Sequence, residues 1–391
     1  MKAGSRKMSD QTPSANPGKY YLTTPIYYVN GAPHIGSAYT TVVADVLSRA
    51  MRMDGRDTFF LTGLDEHGQK VAQAAANNNK SPQEWVDSIA PAFLNAWEAL
   101  DIRYDDFIRT TEPRHMRGVQ QLFTQLFESG AIYKDIYRGY YCVPDETFFT
   151  AEQLAEFAEA RAREGLPATD EAGEPLCPDC VRPLVFVEEE NLFFRLSDYT
   201  QRLLDFYEDN PGFIQPDFRR NEVVSFVKGG LKDLSISRTT FDWGVPLPFA
   251  PGHVSYVWID ALINYLTGIG YGSDDPADQA KLARYWPPQV HLIAKEIIRF
   301  HCVIWPAWLM AAGLPLPDKV FVHGWLLTKG QKMSKSLGNA MDPFALAETF
   351  GVDGYRYFFL SDIQFGADCS VSVERILQVY NADLANSWGN L

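Results

Sequence analysis

Apolar residues recur with two different periods along the first hundred positions, which predicts strands that alternate with helices. Short apolar runs rich in Tyr, Thr, Phe and Ile are bounded by Gly and Pro and are typical of buried strands. Between them apolar residues return at helical spacing, and one such segment opens with a capping box at 81–84. The predicted elements are strands at 19–28 and at 57–62, where Gly63 ends the second, and helices at 36–52, 66–76 and 81–100.

This alternation stops near 111 and returns near 257, so we predict one α/β domain that is split by an insertion. Its strand–helix–strand order favours parallel βαβ units and a doubly wound, Rossmann-like parallel sheet. A strand at 291–294, a helix at 296–312 and a strand at 320–323 resume the order. The predicted segments are a polar flexible tail (1–19), the first half of the α/β domain (20–111), an inserted domain (112–256) with a helix at 151–164, the second half of the α/β domain (257–324), a loop with a helical region (325–372) and a last helical segment (373–391).

Charge and cysteine content narrow the class of protein. The chain has 391 residues, with 35 Lys and Arg against 49 Asp and Glu, a formal net charge of −14. This balance argues against a protein that coats DNA, but it does not exclude an enzyme with a local basic strip. The five cysteines cannot all pair, the most apolar stretch (302–314) is too short to span a bilayer, and residues 1–19 hold no apolar run typical of a signal peptide. We therefore expect a soluble protein in a reducing, cytoplasmic setting.

Two short motifs suggest phosphate chemistry. His34 and Gly36 follow the first strand and open the first helix, where free backbone N–H groups and the helix dipole attract anions. Lys332 and Lys335 lie in a Gly-bounded loop with two serines, which suits a polyphosphate whose charge grows during reaction. Each motif alone has an ordinary explanation, an incidental His at a helix start or a solvated basic loop. Their occurrence together, with βα units at both, favours the phosphate interpretation.

With these motifs the chain resembles the class I aminoacyl-tRNA synthetases, whose signatures are HIGH and KMSKS, and in detail the methionyl-tRNA synthetase family. The resemblance covers about 20–391. It is also carried by the segments 24–30, 61–68, 106–111, 233–238 and 256–261. It implies a catalytic domain split by a connective insertion with a zinc-knuckle-like element at about 138–186, then a stem-contact region and the start of an anticodon-binding helix bundle.

The resemblance implies a two-step ligase reaction and a set of site residues. L-Methionine would attack the α-phosphate of ATP, with Mg²⁺ and lysines stabilising the pyrophosphate, and the methionyl group would then pass to the 3′ end of methionine tRNA. The residues that match the family's catalytic and ATP-binding positions are His34, Gly36, Ser37, Ala294, Lys295, Glu296, His323, Gly324, Lys332 and Lys335. Those that match its methionine pocket are Ile26, Tyr28, Asp65, Trp258, Ala261, Leu262, Tyr265, Ile297 and His301.

The chemistry of the second set agrees with its assignment. Aromatic rings suit the polarizable thioether of methionine, and a carboxylate suits its ammonium group. Asp65 is assigned to the ammonium, and it would also serve as the N-cap of the helix that starts at Glu66. Without the resemblance, the aromatic residues would be assigned to an ordinary hydrophobic core.

A cysteine cluster suggests a structural metal. Cys177 and Cys180 form one half of a zinc knuckle, and a tetrahedral site needs four ligands. The family often has a second Cys of the other half where this chain has Asp145. Since a carboxylate also binds zinc, Cys142, Asp145, Cys177 and Cys180 would form a weaker zinc site. The alternative is a metal-free knuckle in which the cysteines are small buried residues.

Other departures from the family pattern bear on activity. Ser37 replaces the second His of HIGH, which leaves a shorter hydroxyl for the phosphate. Ala294 and Glu296 replace the usual Gly and Asp, so a methyl group would crowd ATP and a longer side chain must reach the ribose. The bundle expected to continue from 381–391 does not continue, so the chain is either a fragment or has lost anticodon recognition. We expect adenylate formation to survive and charging of tRNA to be weakened.

Two other interpretations stay open. The first is another class I synthetase, or a small-molecule nucleotidyltransferase of the same fold, from which dependence on methionine would distinguish this chain. The second is a non-catalytic paralogue, which the replacements at 145, 294 and 296 favour. Lack of ATP turnover would support that second interpretation.

The substitution Lys335→Ala tests the assignment of the Lys/Ser loop. The charge of Lys335 should act mainly on the transition state, where negative charge develops on pyrophosphate. We therefore expect the rate of adenylate formation to fall far more than the affinity for ATP, measured by rapid-quench kinetics over a range of ATP concentrations. An equal loss in the rate and in the affinity would contradict the assignment.

Overall fold

The computed structural model describes residues 18–29, 31–328, 330–332 and 341–390, with the backbone alone at 331 and 332. In chain order the strands are β1 (Lys19–Thr23), β2 (Tyr27–Tyr28), β3 (Asp57–Asp65), β4 (Asp106–Arg109), β5 (Ile132–Cys142), β6 (Thr147–Phe149), β7 (Val185–Phe194), β8 (Ile214–Gln215), β9 (Leu234–Ser235), β10 (Ser237–Arg238), β11 (Val254–Ser255), β12 (Val290–Ala294), β13 (Val320–His323), β14 (Leu326–Thr328), β15 (Gln331–Lys332) and β16 (Cys369–Ser370). The α-helices are α1 (Ile35–Met53), α2 (Gln69–Asn77), α3 (Pro82–Ala99), α4 (Pro113–Glu128), α5 (Ala151–Arg163), α6 (Thr200–Asp209), α7 (Asp217–Lys228), α8 (Val257–Thr267), α9 (Pro276–Tyr285), α10 (Trp305–Ala312), α11 (Pro343–Ser361) and α12 (Val373–Val379). Of the predicted tail, only residues 18 and 19 lie in the described part.

A parallel sheet of seven strands forms the centre of the larger body, which confirms the predicted fold class. Its order is β4-β3-β1-β12-β13-β8, with β2 continuing beyond β1 along β3, and every pairing is parallel. Alternate residues of β1 enter two separate core clusters, Tyr21 in one and Leu22 in the other, so both faces of the sheet are covered. The strand order reverses between β1 and β12, and ligands of such sheets bind in the crevice at that point.

The predicted insertion contains its own antiparallel sheet, of order β6-β5-β7-β9. Several elements of the predicted range 112–256 nevertheless pack with the parallel sheet. Helix α4 buries Leu122 and Phe123 in the same cluster as Leu61 of β3, and β8 pairs with β13 at the sheet's edge. The division into domains stays a prediction, because the antiparallel sheet is separate from the parallel one in its strand pairing while Ile132 of β5 and Phe194 of β7 share that same cluster.

Three local predictions about β3 and α2 were wrong. Strand β3 does not end at Gly63 but runs to Asp65, because Gly63 pairs with Ile108 of β4 as part of the ladder. Helix α2 begins at Gln69, not at Glu66, and its N-cap is Gly68. Asp65 is therefore the last residue of a strand and not a helix cap.

The predicted helix at 296–312 is also less regular than expected. A 3₁₀ turn (Lys295–Ile297) and a π-helical segment (Phe300–Ile304) precede α10. Pro306 has no backbone N–H to donate, so the turn before it cannot keep the regular α-helical bonding pattern. The last predicted helix is divided in the same way, into α12 and a π-helical segment (Tyr380–Ala385).

No helix in the described ranges has both the length and the apolar character needed to cross a membrane. This agrees with the shortness of the apolar stretch at 302–314 in the sequence.

The substitution Gly63→Ala tests the close pairing of β3 and β4. A Cβ atom at Gly63 would lie 2.0 Å from the carbonyl oxygen of Ile108, a backbone atom that cannot turn away. We expect the free energy of unfolding to fall by about 2–3 kcal/mol, measured by urea denaturation. Gly212→Ala is the matched control, because in the described part of the chain no atom beyond its two sequence neighbours lies within 4 Å of the added Cβ. Equal stability of the two variants would contradict the argument.

Candidate active site

The carboxyl ends of the central strands carry most of the predicted site residues. The loop after β1 leads to α1, whose N-terminus holds His34 and Gly36. Strands β3, β12 and β13 end at Asp65, Ala294 and His323. Because all these strands are parallel, their ends open on one edge of the sheet, where the strand order reverses.

His34 acts as the N-cap of α1. Its ring Nδ1 accepts hydrogen bonds from the backbone N–H groups of Gly36 and Ser37, at 3.0 and 3.3 Å. Two donors at Nδ1 place the ring proton on Nε2, so the exposed edge of the ring is a donor suited to a phosphate oxygen. The helix N-terminus is therefore only partly as expected, since two of its N–H groups are already used by His34.

Ser37 completes a capping box. Its buried hydroxyl donates to the His34 carbonyl at 2.7 Å and accepts from the His34 N–H at 3.1 Å. This fixes the backbone of His34 and differs from the phosphate contact that we expected of Ser37. Ser37, which replaces the second His of the motif, thus holds the first His of the motif, His34, in position.

His323 and Gly324 lie at the end of β13, where His323 contacts α1. The buried His323 ring donates through Nδ1 to the Gly324 carbonyl at 2.8 Å, and its Nε2 lies 2.8 Å from the Thr40 hydroxyl of α1. Both ring nitrogens are engaged, so His323 joins β13 to α1, and its assignment to ATP stays a prediction. At Gly324 a Cβ would lie 2.2 Å from the Ala367 carbonyl, so a side chain is excluded there.

Beyond Ala294, which ends β12, two charged side chains meet residues that the sequence did not single out. The Lys295 ammonium contacts Asp368 Oδ2 at 2.6 Å and lies 3.8 Å from the centre of the Trp325 ring. Glu296 accepts from the Trp325 indole N–H at 2.7 Å. Trp325 directly follows the predicted Gly324, but its contacts with Lys295 and Glu296, like the contact of Asp368 with Lys295, come from the tertiary fold, so no local pattern could have indicated them.

The Lys/Ser loop lies almost entirely outside the described residues. Lys332 is described through its backbone, which pairs with Leu327 in β14. Lys335 and the two serines are not among the described residues, so their assignment stays a prediction.

Asp65 is a buried carboxylate with one unused oxygen. The His67 backbone N–H donates to the carboxylate, but Oδ1 has no hydrogen-bond partner among the described residues. Burial, together with the nearby carboxylates of Asp260 and Glu146, raises the pKa of Asp65 well above its usual value. Tyr28 of β2 is its direct neighbour in the parallel ladder. A bound cation beside Oδ1 would favour the ionised form of this carboxyl group and lower its pKa again.

The aromatic residues predicted for methionine lie on and around α8. The Trp258 ring stacks on Phe300, with ring centres 4.2 Å apart, and the Tyr265 hydroxyl lies 2.6 Å from His301 Nε2. His301 donates through Nδ1 to the Ile297 carbonyl at 3.0 Å, so Nε2 is an acceptor and the ring is neutral. Burial lowers the pKa of His301 to about 4, which keeps it neutral near pH 7.

The other predicted pocket residues border the same core. Ala261 and Leu262 are buried on α8, while Ile26, Tyr28 and Ile297 are partly buried. Apart from Ala261, these residues pack in or against the cluster that contains Tyr265. Asp65 aside, the side chains assigned to methionine are apolar or neutral aromatic groups, a composition that suits a thioether side chain with an ammonium group.

A second buried carboxylate, Asp260, was missed by the sequence reasoning. Its two oxygens lie 2.6 Å from His67 Nδ1 and 2.7 Å from His115 Nε2. Burial alone would raise the pKa of Asp260, but His67 and His115 outweigh it and lower this pKa to about 2. Since α8 also carries Trp258 and Ala261, these bonds fix the helix that forms one wall of the pocket. An Asp within the apolar run of α8 was the one available signal.

The four predicted metal ligands come together. One ligand atom from each of Cys142, Asp145, Cys177 and Cys180 lies within 4.8 Å of the others. The sulfur atoms of Cys142 and Cys177 are 3.1 and 3.2 Å from Asp145 Oδ2, and those of Cys142 and Cys180 are 3.5 Å apart. Ligand atoms of tetrahedral zinc lie about 3.3–3.8 Å apart, close to the separations of 3.1 to 3.5 Å in this cluster, so these three thiols and one carboxylate are a set that could hold a metal ion.

Comparison with known proteins gives one consistent family. The model of the family described as "tRNA synthetases class I (M)" matches residues 20–391. The methionine–tRNA ligase of Thermotoga maritima is 54% identical over 373 residues, which are 95% of this chain and 56% of that protein. The methionine–tRNA ligase of Rhizobium meliloti is 52% identical over 372 residues, which are 95% of this chain and 69% of the relative.

A solved structure gives the same result. The methionyl-tRNA synthetase of Mycobacterium tuberculosis in complex with methionyl-adenylate superimposes with a TM-score of 0.87 at 48% identity, covering 95% of this chain and 70% of that one. The chain spans little more than half the length of several curated relatives that it matches.

Metal analysis tests the knuckle. We expect protein purified without chelators to hold about one equivalent of zinc, and Cys180→Ser to lose most of it, because three ligands bind the ion more weakly than four. Cys369→Ser is the matched control, since Cys369 lies outside the cluster, and it should keep its zinc. Less than about a tenth of an equivalent in the unsubstituted protein would contradict the assignment.

Proposed function

The chain belongs to the methionyl-tRNA synthetase family of class I tRNA synthetases, and from that premise we propose that it is a methionine–tRNA ligase. Its first step is the ATP-dependent activation of L-methionine to methionyl-adenylate, with release of pyrophosphate. Its second step is transfer of the methionyl group to the 3′ end of methionine tRNA. ATP, methionine and that tRNA are the substrates, and bound Mg²⁺ would supply charge neutralisation on the phosphates.

The unused oxygen of Asp65 is the observation that carries this proposal. Burial disfavours the ionised form of a carboxyl group that has an unpaired oxygen, and the ammonium group of an amino acid supplies a cation that would stabilise the ionised form. The neutral Tyr265–His301 pair then faces a side chain without charge. Together these features select a zwitterion whose side chain is apolar and polarizable.

The opposite side of the site provides phosphate contacts. The tautomer of His34 that α1 imposes presents an N–H donor, and the lysines at 332 and 335 are assigned to the leaving pyrophosphate. Lys295 is held by Asp368, and Glu296 is held by Trp325. Donors placed before reaction stabilise developing charge without reorganising.

ATP–pyrophosphate exchange tests the proposal directly. The assay would use methionine, homocysteine, leucine, cysteine or no amino acid. Methionine should give the highest exchange rate. Homocysteine should give a lower but measurable rate, because the loss of one methyl group weakens binding by only about 1–3 kcal/mol. Absence of methionine-dependent exchange by folded protein would contradict the proposal and favour a non-catalytic paralogue.

The substitution Asp65→Asn tests the ammonium site. Removing the charge should raise the KM for methionine by roughly 10–100-fold and leave the KM for ATP nearly unchanged. In the unsubstituted protein, methionine affinity should decrease as the pH falls through the raised pKa of Asp65, because the protonated acid cannot pair with an ammonium group. Methionine titrations across pH would measure this, and the variant should lose that dependence. An unchanged pH profile in Asp65→Asn would rule out the assignment.

A further inference from the structure

Glu146 is a buried carboxylate that no predicted role uses. It lies at the end of the turn between β5 and β6, directly after Asp145, with only 3% of its surface exposed. Its backbone has a φ of 50°, in the left-handed region that non-glycine residues seldom adopt. A strained backbone persists only where surrounding contacts hold it, so the contacts of Glu146 must stabilise this conformation.

The carboxylate of Glu146 joins three separate elements. Oε1 accepts from the Tyr28 hydroxyl of β2 at 3.0 Å and from the Lys70 backbone N–H at the start of α2 at 2.8 Å. Oε2 accepts from the Tyr141 hydroxyl of β5. The side chain thus satisfies donors from the parallel sheet, from the helix after Asp65 and from the antiparallel sheet.

The backbone of Glu146 reaches a fourth element. Its carbonyl oxygen accepts from the hydroxyl of Tyr256, which is the N-cap of α8. The neighbouring Gly68 leaves room for this arrangement, since a Cβ there would lie 2.7 Å from the Tyr28 hydroxyl and 2.9 Å from Glu146 Oε1. Two of the bonded elements, β2 and α8, carry residues assigned to the methionine pocket.

Two of these bonds bear on residues assigned to methionine. Tyr28 is itself in that set and pairs with Asp65 in the ladder, while Tyr256 fixes the start of the helix that carries Trp258. Burial, with Glu146 and Asp65 nearby, raises the pKa of Tyr28 well above its usual value, so its hydroxyl remains a donor. The position of the Tyr28 ring therefore depends on Glu146.

We propose that Glu146 is a positioning residue of the methionine pocket, which fixes Tyr28 and the start of α8 and thereby determines the affinity for the amino acid. This inference rests on the proposed function. It assigns a substrate-binding task to the turn that carries two of the four knuckle ligands, Cys142 and Asp145. A purely structural role would instead affect the stability of the insertion without changing the affinity for one substrate.

Kinetics of ATP–pyrophosphate exchange separate these roles. We expect Glu146→Ala to raise the KM for methionine by roughly tenfold or more, because three donors lose their acceptor, and to leave the KM for ATP within about twofold. Glu146→Gln keeps one acceptor oxygen and should show an intermediate KM. Methionine binding followed by tryptophan fluorescence should give the same order without relying on turnover.

The substitution Tyr28→Phe separates geometry from charge. It removes the hydroxyl that bonds to Glu146 and keeps both the ring and the Glu146 charge, so a raised methionine KM would come from lost positioning. In the double variant with Glu146→Gln, the methionine KM should rise by less than the product of the two single-variant factors, because both substitutions remove the same bond. Tyr28→Phe also provides the test if Glu146→Ala fails to fold.

Glu189→Ala is the matched control for burial. Glu189 is a buried carboxylate in the same antiparallel sheet, and its partners are Asn191 and Thr239, outside the predicted pocket. The substitution Glu189→Ala should lower the melting temperature without raising the methionine KM.

An unchanged methionine KM in Glu146→Ala and in Tyr28→Phe, with exchange by the unsubstituted chain intact, would overturn this inference alone. Absence of exchange by the unsubstituted chain would overturn the proposed function and this inference with it.

Discussion

Four carboxylates are buried around the end of β3, and the balance of their partners determines what the site can bind. Glu66 is paired with Arg109 and Thr111, and Asp260 with His67 and His115. Glu146 is bonded to two tyrosines and a backbone N–H. Asp65 alone among these four keeps an oxygen without a partner in the described part of the chain. Since a buried charge is costly unless it is paired, Oδ1 of Asp65 is the atom of these four side chains at which a bound cation would stabilise the site.

The rest of the pocket is consistent with that single charge. The bond from the Tyr265 hydroxyl and the bond to the Ile297 carbonyl fit a neutral His301, so the described residues assigned to the methionine side chain carry no ionised group. The parallel sheet supplies the rigidity, because Asp65, Ala294 and His323 all end strands of one sheet. Binding residues held at strand ends keep their distances to one another, which a two-substrate reaction requires.

The sequence predicted the fold well where a residue's role is local. The capping box at Ser81 and the helical face of α1 depend on neighbours three and four positions away, and both were found. The end of β3 was predicted wrongly, because Gly is typical of turns and the sequence does not show that Gly63 packs closely against Ile108. Likewise, the contacts of Trp325 with Glu296, of Asp368 with Lys295 and of Glu146 with Tyr28 join residues 29 or more positions apart. Such contacts leave no periodic signal in a single sequence.

A crystal structure of the protein with L-methionine would test the central claim most directly. The account predicts the ammonium nitrogen about 3 Å from Oδ1 of Asp65, with the thioether against the Trp258 ring. Methionine bound with its ammonium group elsewhere, and Asp65 left without a cation, would contradict it.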